Sequence, residues 1–228
     1  MPRKPRVFLP SVPCHVISRG NNRDVCFYTD QDYFFYLECL YDACSRNDVL
    51  LHAYVLMTNH VHLLLNPSDE IGIPKVMQSI GRRYVQYINM RYRRSGTLFE
   101  GRYKSSLVDA EQYLFSCYRY IELNPIRANM VEHPLDYRWS SYHSNAGVKR
   151  NKFITPHELY RSLGVTEAHR HEAYRELFSI ELGKELVHDI QRASTFSMPL
   201  GGSCFQAQIE EALGRKLGYA KRGRPSEG

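Results

Sequence analysis

The run Met57-Thr58-Asn59-His60-Val61-His62-Leu63-Leu64-Leu65 constrains the fold more than any other stretch of this chain. Side chains on a strand alternate between faces with period two, so His60 and His62 share one face while Val61, Leu63 and Leu65 share the other. Such a strand needs an apolar layer beneath it and leaves two imidazoles facing whatever crosses above. Upstream, Val49 to Met57 is apolar and partly β-branched, and Thr58-Asn59 reads as a short turn, so the stretch is the second arm of a hairpin. Two histidines on one strand face are by themselves an ordinary occurrence. A site requires a third ligand and a reactive group brought to the same face.

The flanking sequence supplies the rest of a sheet. Cys14 to Ser18 reads as a strand ended by the turn residues Arg19-Gly20-Asn21-Asn22. Thr29, with Asp32 three residues on, opens a helix whose Tyr33, Leu37, Leu40, Tyr41 and Cys44 recur at helical spacing. A second helix has Pro74 in its first turn, an apolar stripe from Ile73 to Ile88, and Gly96 as its stop. A fourth strand follows through Ser106 to Val108. The order β-α-β-β-α-β is the split βαβ arrangement of a ferredoxin-like α+β fold, with the hairpin strands expected at its centre.

A third helix, opened by Asp109 with Gln112 as a capping box, buries Leu114, Cys117, Tyr118 and Ile121. Its neighbouring face carries Ser116, Tyr120 and Asn124, and Pro125 should kink or end it at Asn124. Trp139-Ser140-Ser141-Tyr142 is expected to seal a domain spanning residues 1–145. Beyond a polar break, residues 153–218 read as a small helical region, beginning with a capping box at Thr155-Pro156-His157-Glu158. Residues 219–228 read as a basic, disordered tail, in which Arg222 and Arg224 of Arg-Gly-Arg-Pro match the core of an arm that lays arginines in a narrow minor groove.

Charge narrows the function. The chain carries +6 overall, but between Gly72 and Lys104 eight basic residues stand against Glu100 alone, a local balance of +7. Arg82, Arg83, Arg93, Arg94, Arg102 and Lys104 in this strip are interleaved with Tyr84, Tyr87, Tyr92, Phe99 and Tyr103. Phosphate neutralisers beside stacking rings are the pairing used on single-stranded nucleic acid. The six cysteines include no Cys-x-x-Cys pair, which argues against a zinc knuckle or a disulfide framework and fits a reducing cytoplasm. No run approaches a membrane span, and the basic N-terminus is not followed by an apolar signal core.

With the third helix laid across the histidine face, Tyr120 and Asn124, four residues apart, come to lie side by side above His60 and His62. Two imidazoles and an amide oxygen, with positions left open, suit Mg²⁺ or Mn²⁺ as a phosphate-polarising Lewis acid. A closed zinc site would need a fourth protein ligand.

The segments around His60-Val61-His62, Tyr118-Arg119-Tyr120-Ile121-Glu122-Leu123-Asn124-Pro125 and Trp139-Ser140-Ser141-Tyr142 together resemble the REP-associated tyrosine transposases, relatives of the IS200/IS605-type single-strand transposases. The resemblance covers about residues 10–145 and implies a histidine-hydrophobic-histidine (HUH) nuclease with one catalytic tyrosine, a divalent metal and hairpin DNA as substrate. By position Tyr120 corresponds to the nucleophile and Asn124 to the third metal ligand, where relatives often have glutamine. The implied reaction is transesterification, leaving a 5′-phosphotyrosyl link and a free 3′-OH without a nucleotide cofactor. Two rivals share the fold: a domesticated hairpin-binding protein without chemistry, and a replication-initiator or relaxase-type nickase. Monomer and homodimer stay open.

Overall fold

The computed structural model describes residues 6–217. Strands β1 (Cys14–Arg19), β2 (Val49–Met57), β3 (His60–Pro67) and β4 (Lys104–Leu107) form one sheet in the order β2-β3-β1-β4, each neighbouring pair antiparallel. Helix α1 (Asp30–Arg46) joins β1 to β2, and α2 (Gly72–Arg91) joins β3 to β4. This is the ferredoxin-like interleaving. Only one arm of the hairpin is central, however, because β1 inserts between β3 and β4 and leaves β2 at the edge.

That edge is covered rather than bare, which blunts its capacity to pair with another chain. Leu56 donates its N–H to the Trp139 carbonyl at 2.9 Å and Tyr54 accepts from the Ser141 N–H at 2.9 Å. Farther along β2, the Thr155 N–H bonds the Leu51 carbonyl at 2.9 Å. The Trp139 to Tyr142 segment thus seals the sheet by continuing its ladder.

Local chemistry sets the helix ends. Thr29 and Asp32 form the capping box, and the Asp32 carboxylate also accepts from the Tyr87 and Tyr92 hydroxyls at 3.0 and 2.8 Å, tying α1 to α2. Helix α2 stops before Gly96. Tyr92 caps it, Arg93 takes the left-handed conformation (φ 49°), and the Arg94 N–H returns to the Asn89 carbonyl at 2.9 Å. Helix α3 (Ala110–Glu122) is capped by Asp109, whose carboxylate accepts from the Glu111 N–H. Pro125 ends it near the predicted point, but the chain turns at once into the single turn α4 (Asn124–Arg127).

The remaining helices are α5 (Tyr142–Asn145), α6 (Glu158–Arg161), α7 (Glu167–Glu176), α8 (Lys184–Phe196) and α9 (Ser203–Ala212). His157, rather than Thr155, caps α6, because the Thr155 backbone is already bonded to β2 and to His52 Nδ1. Tyr160, Tyr174, Ile190, Leu200 and Ile209 from this part join the same buried apolar cluster as the sheet. Among the described residues no helix is long and apolar enough to cross a membrane.

Helices α1 and α2 pack on each other and cover Val61, Leu63 and Leu65, while α3 and α8 lie against the opposite face. Glu122 at the end of α3 locks this second layer: it is fully buried and accepts hydrogen bonds from the Ser141 hydroxyl, the Asn145 amide at 2.8 Å and the Tyr174 hydroxyl at 2.6 Å. Burial raises its pKa from 4.5 to about 7, with those three donors opposing. The folded chain therefore holds a proton that the unfolded chain has released, so stability should fall as pH rises from about 4.5 to 7 and flatten above. Thermal melts across this window should show the decline in the native protein and a smaller one in Glu122→Gln.

Candidate active site

The antiparallel register between β1 and β3 places Arg19 opposite His60, Ile17 opposite His62 and His15 opposite Leu64. On the other side of β1, Lys104 lies opposite Ile17 and Ser106 opposite His15. Cross-strand partners share a face. One face of the sheet therefore presents His15, Arg19, His60, His62 and Lys104 together, and helix α3 crosses it: the Tyr120 ring meets His62 at 5.7 Å and His15 at 5.8 Å, both edge-on.

Each imidazole is fixed by its Nδ1 or by both nitrogens. His60 Nδ1 lies 2.7 Å from Asn59 Oδ1, an atom that can only accept, and the Asn124 side chain hydrogen-bonds the same ring. His62 Nδ1 lies 2.8 Å from His15 Nε2, leaving Nε2 as the uncommitted nitrogen. The His60 and His62 ring centroids are 5.0 Å apart. Burial lowers His60 to about 4, with Arg19 adding to the effect and the Asn124 side chain opposing it. Burial lowers His62 well below its ordinary value, and the neighbouring His15, His60, Arg19 and Arg127 push the same way; His15, fully buried, falls to about 3. All three rings are neutral at neutral pH, the form a metal ligand needs.

Asn124 is half-buried, and its amide nitrogen donates to the Tyr120 carbonyl at 3.2 Å. The side chain bonds back to the end of α3, so the oxygen is the atom left to face His60. Among the described residues no group of three His, Cys, Asp or Glu is arranged around a metal position. The candidate donors near this face are the Nε2 atoms of His60 and His62 and the Asn124 amide oxygen, a set whose chemistry fits a divalent cation keeping water and phosphate in its other positions.

Tyr120 is 5% exposed and is held between the imidazoles and the Arg127 guanidinium, whose carbon lies 4.6 Å from the ring centroid. The other tyrosines of α3 are elsewhere. Tyr118 is fully buried with its ring edge-on to Tyr174 at 5.8 Å, and Tyr113 lines a separate cleft with Asp189, Met198 and Leu200.

Four residues of the site escaped the sequence reading. His15, Ile17 and Arg19 alternate on β1 as His60, His62 and Leu64 do on β3, so His15 and Arg19 had a detectable signal. Arg127 follows Pro125 by two residues and is placed by α4. Ser194, on α8, stands 3.2 Å from His15 Nδ1 at a sequence distance of 179 residues, and no local pattern marks it.

The expected basic strip divides. Arg82 and Arg83 sit on α2, in the layer opposite the histidines, and Arg83 is paired with Asp42 and Glu38. Arg93 and Arg102 are exposed in the segment leading to β4, Arg94 is half-buried, and Lys104 is exposed on the histidine face. Arg222 and Arg224 lie outside the described residues.

The α+β fold is shared with a solved REP-associated tyrosine transposase bound to a REP hairpin, which is 12% identical and aligns with a TM-score of 0.57 over 70% of this chain and 93% of that one. A candidate transposase from Deinococcus radiodurans R1 is 19% identical and aligns with a TM-score of 0.38 over 57% of this chain and 98% of that one. The family described as "Transposase IS200 like" matches residues 9–124, from ahead of β1 through Asn124, and the chain belongs to this family. No curated protein matches it.

Surface geometry then distinguishes the cations. In titrations with a hairpin oligonucleotide, Arg19→Ala with Lys104→Ala should flatten the salt dependence of binding, by about 0.7 in log-log slope for each phosphate that is no longer neutralised. Arg83→Ala, whose guanidinium is committed to Asp42 and Glu38, should leave the slope unchanged.

Proposed function

We propose that this transposase is a site-specific single-strand DNA endonuclease and strand transferase that cuts beside a REP-type hairpin and carries the cut strand on Tyr120. The observation that carries the reading is the placement of the Tyr120 ring 5.7 Å from His62, over the sheet face that also bears His60 and Arg19, with the Asn124 side chain hydrogen-bonded to His60. The hairpin-bound relative, at 12% identity, supports hairpin DNA as the substrate class.

In this reading the scissile phosphate enters over the histidine face, with Arg19, Arg127 and Lys104 balancing its charge. Tyr120 loses its hydroxyl proton and its oxygen bonds phosphorus. The bond from phosphorus to the 3′ oxygen breaks, and that oxygen takes up a proton, so one phosphoester replaces another and no water is consumed. His60 Nε2, His62 Nε2 and the Asn124 oxygen would hold a Mg²⁺ or Mn²⁺ ion, which supplies Lewis-acid polarisation of the non-bridging oxygens. The Arg127 guanidinium over the ring restrains Tyr120. The 3′-OH can return to the phosphotyrosyl bond or be replaced by another strand's 3′-OH, which is strand transfer.

Phenylalanine at Tyr120 keeps the ring and its contacts but removes the attacking atom. With Mn²⁺ and an oligonucleotide labelled 3′ of the cut, the native protein and Tyr118→Phe should each give a denaturation-resistant labelled adduct, and Tyr120→Phe should give none while binding the hairpin normally. Cleavage without an adduct in any variant would replace the tyrosine mechanism with attack by water.

A further inference from the structure

The buried chain His62–His15–Ser194 is not used by the reaction as described, yet it ends on a nitrogen that the reaction needs. His15 Nε2 lies 2.8 Å from His62 Nδ1, and His15 Nδ1 lies 3.2 Å from Ser194 Oγ. The two rings are stacked at 18°, and all three side chains are at most 4% exposed. Ser194 is on α8, beyond residues 9–124 that define the family match.

A neutral imidazole has one donor and one acceptor nitrogen, so each ring in this chain commits the next. If Ser194 accepts, His15 carries its hydrogen on Nδ1 and presents a lone pair at Nε2. His62 must then carry its hydrogen on Nδ1, and His62 Nε2 faces the site as a lone pair. If Ser194 donates instead, every hydrogen shifts by one place and His62 Nε2 faces the site as an N–H, which cannot bind a cation. His60 bonds directly to the Asn59 side-chain oxygen, an atom that can only accept. His62 has no such direct anchor, and its tautomer depends on a residue two hydrogen bonds away.

We propose that His15 and Ser194 are positioning residues that hold His62 in the tautomer protonated on Nδ1, so that helix α8, outside the family match, completes a divalent-cation site on the sheet. The hydrogen-bonded chain rests on the geometry alone, whereas the choice of tautomer rests on the metal reading given above, since a His62 with its hydrogen on Nε2 could not bind a cation. Outer partners of this kind orient a ligating ring and tune its basicity, and their loss typically lowers metal affinity about 10–100-fold.

The test uses the full chain without metal. Nitrogen-15 NMR of the imidazoles at neutral pH should show both His15 and His62 protonated on Nδ1. Ser194→Ala removes a single oxygen from a helix interior and should fold. It should redistribute both rings towards the Nε2-protonated form and weaken Mn²⁺ binding, read by calorimetry, about 10-fold or more, with the thermal midpoint and hairpin affinity unchanged. His15→Ala should weaken Mn²⁺ binding at least as much. A native His62 protonated on Nε2 would overturn the proposal, as would Ser194→Ala with unchanged tautomers, whatever its metal affinity. The expected tautomers and their shift in Ser194→Ala, in a native protein that binds no Mn²⁺, would support the relay and refute the metal reading instead.

Discussion

The register between β1 and β3 is the constraint on which the rest depends. Pairing Ile17 with His62 and Arg19 with His60 brings His15 within hydrogen-bonding distance of His62 and aligns three imidazoles and a guanidinium on one face. A slip of one residue would turn every β1 side chain over, burying Arg19 in the layer covered by α1 and α2 and exposing Val16 in the site. The apolar faces prevent it. Cys14 and Val16 are each 0% exposed, and burying a valine-sized side chain contributes roughly 1.5–3 kcal/mol, so a slip that exposed them and buried Arg19 would be heavily disfavoured.

The same burial sets the electrostatics. A histidine in water carries substantial positive charge below pH 7, but here burial is the largest cause of the lowered pKa at His15, His60 and His62. The positive charge near the site is supplied instead by Arg19 and Arg127, at its exposed rim. That division leaves neutral imidazoles inside and cations outside, an arrangement suited to the phosphate chemistry proposed for this face. Above the sheet, α3 is held by Glu122 through Ser141 and Asn145, at the two ends of α5, and Tyr174 on α7. The position of Tyr120 is thus tied to residues far from it in the chain.

Local rules made much of this legible. Alternation gave β3 its two faces, Thr29 and Asp32 marked the start of α1, and Pro125 marked the end of α3. Composition was a poorer guide to turns: Gly96 looked like the stop of α2, but Arg93 makes the left-handed turn, stabilised by the backbone bond from Arg94 to Asn89. A charge count along the chain also cannot see which layer a residue joins, so Arg83 read as a phosphate contact although it is paired with α1. The long-range partners were the least visible. His15 reaches His62 only through strand pairing, and Ser194 reaches His15 only because α8 packs across β1 and β4.

The central claim is that β3 and α3 together build one cation and nucleophile site. Diffraction from Mn²⁺-soaked crystals, recorded at a wavelength where manganese scatters anomalously, tests it most directly. A single strong peak is expected at coordination distance from Nε2 of both His60 and His62, on the side of the sheet where Tyr120 and Asn124 lie. No peak on that face at saturating Mn²⁺, or a peak bound through other side chains, would contradict it.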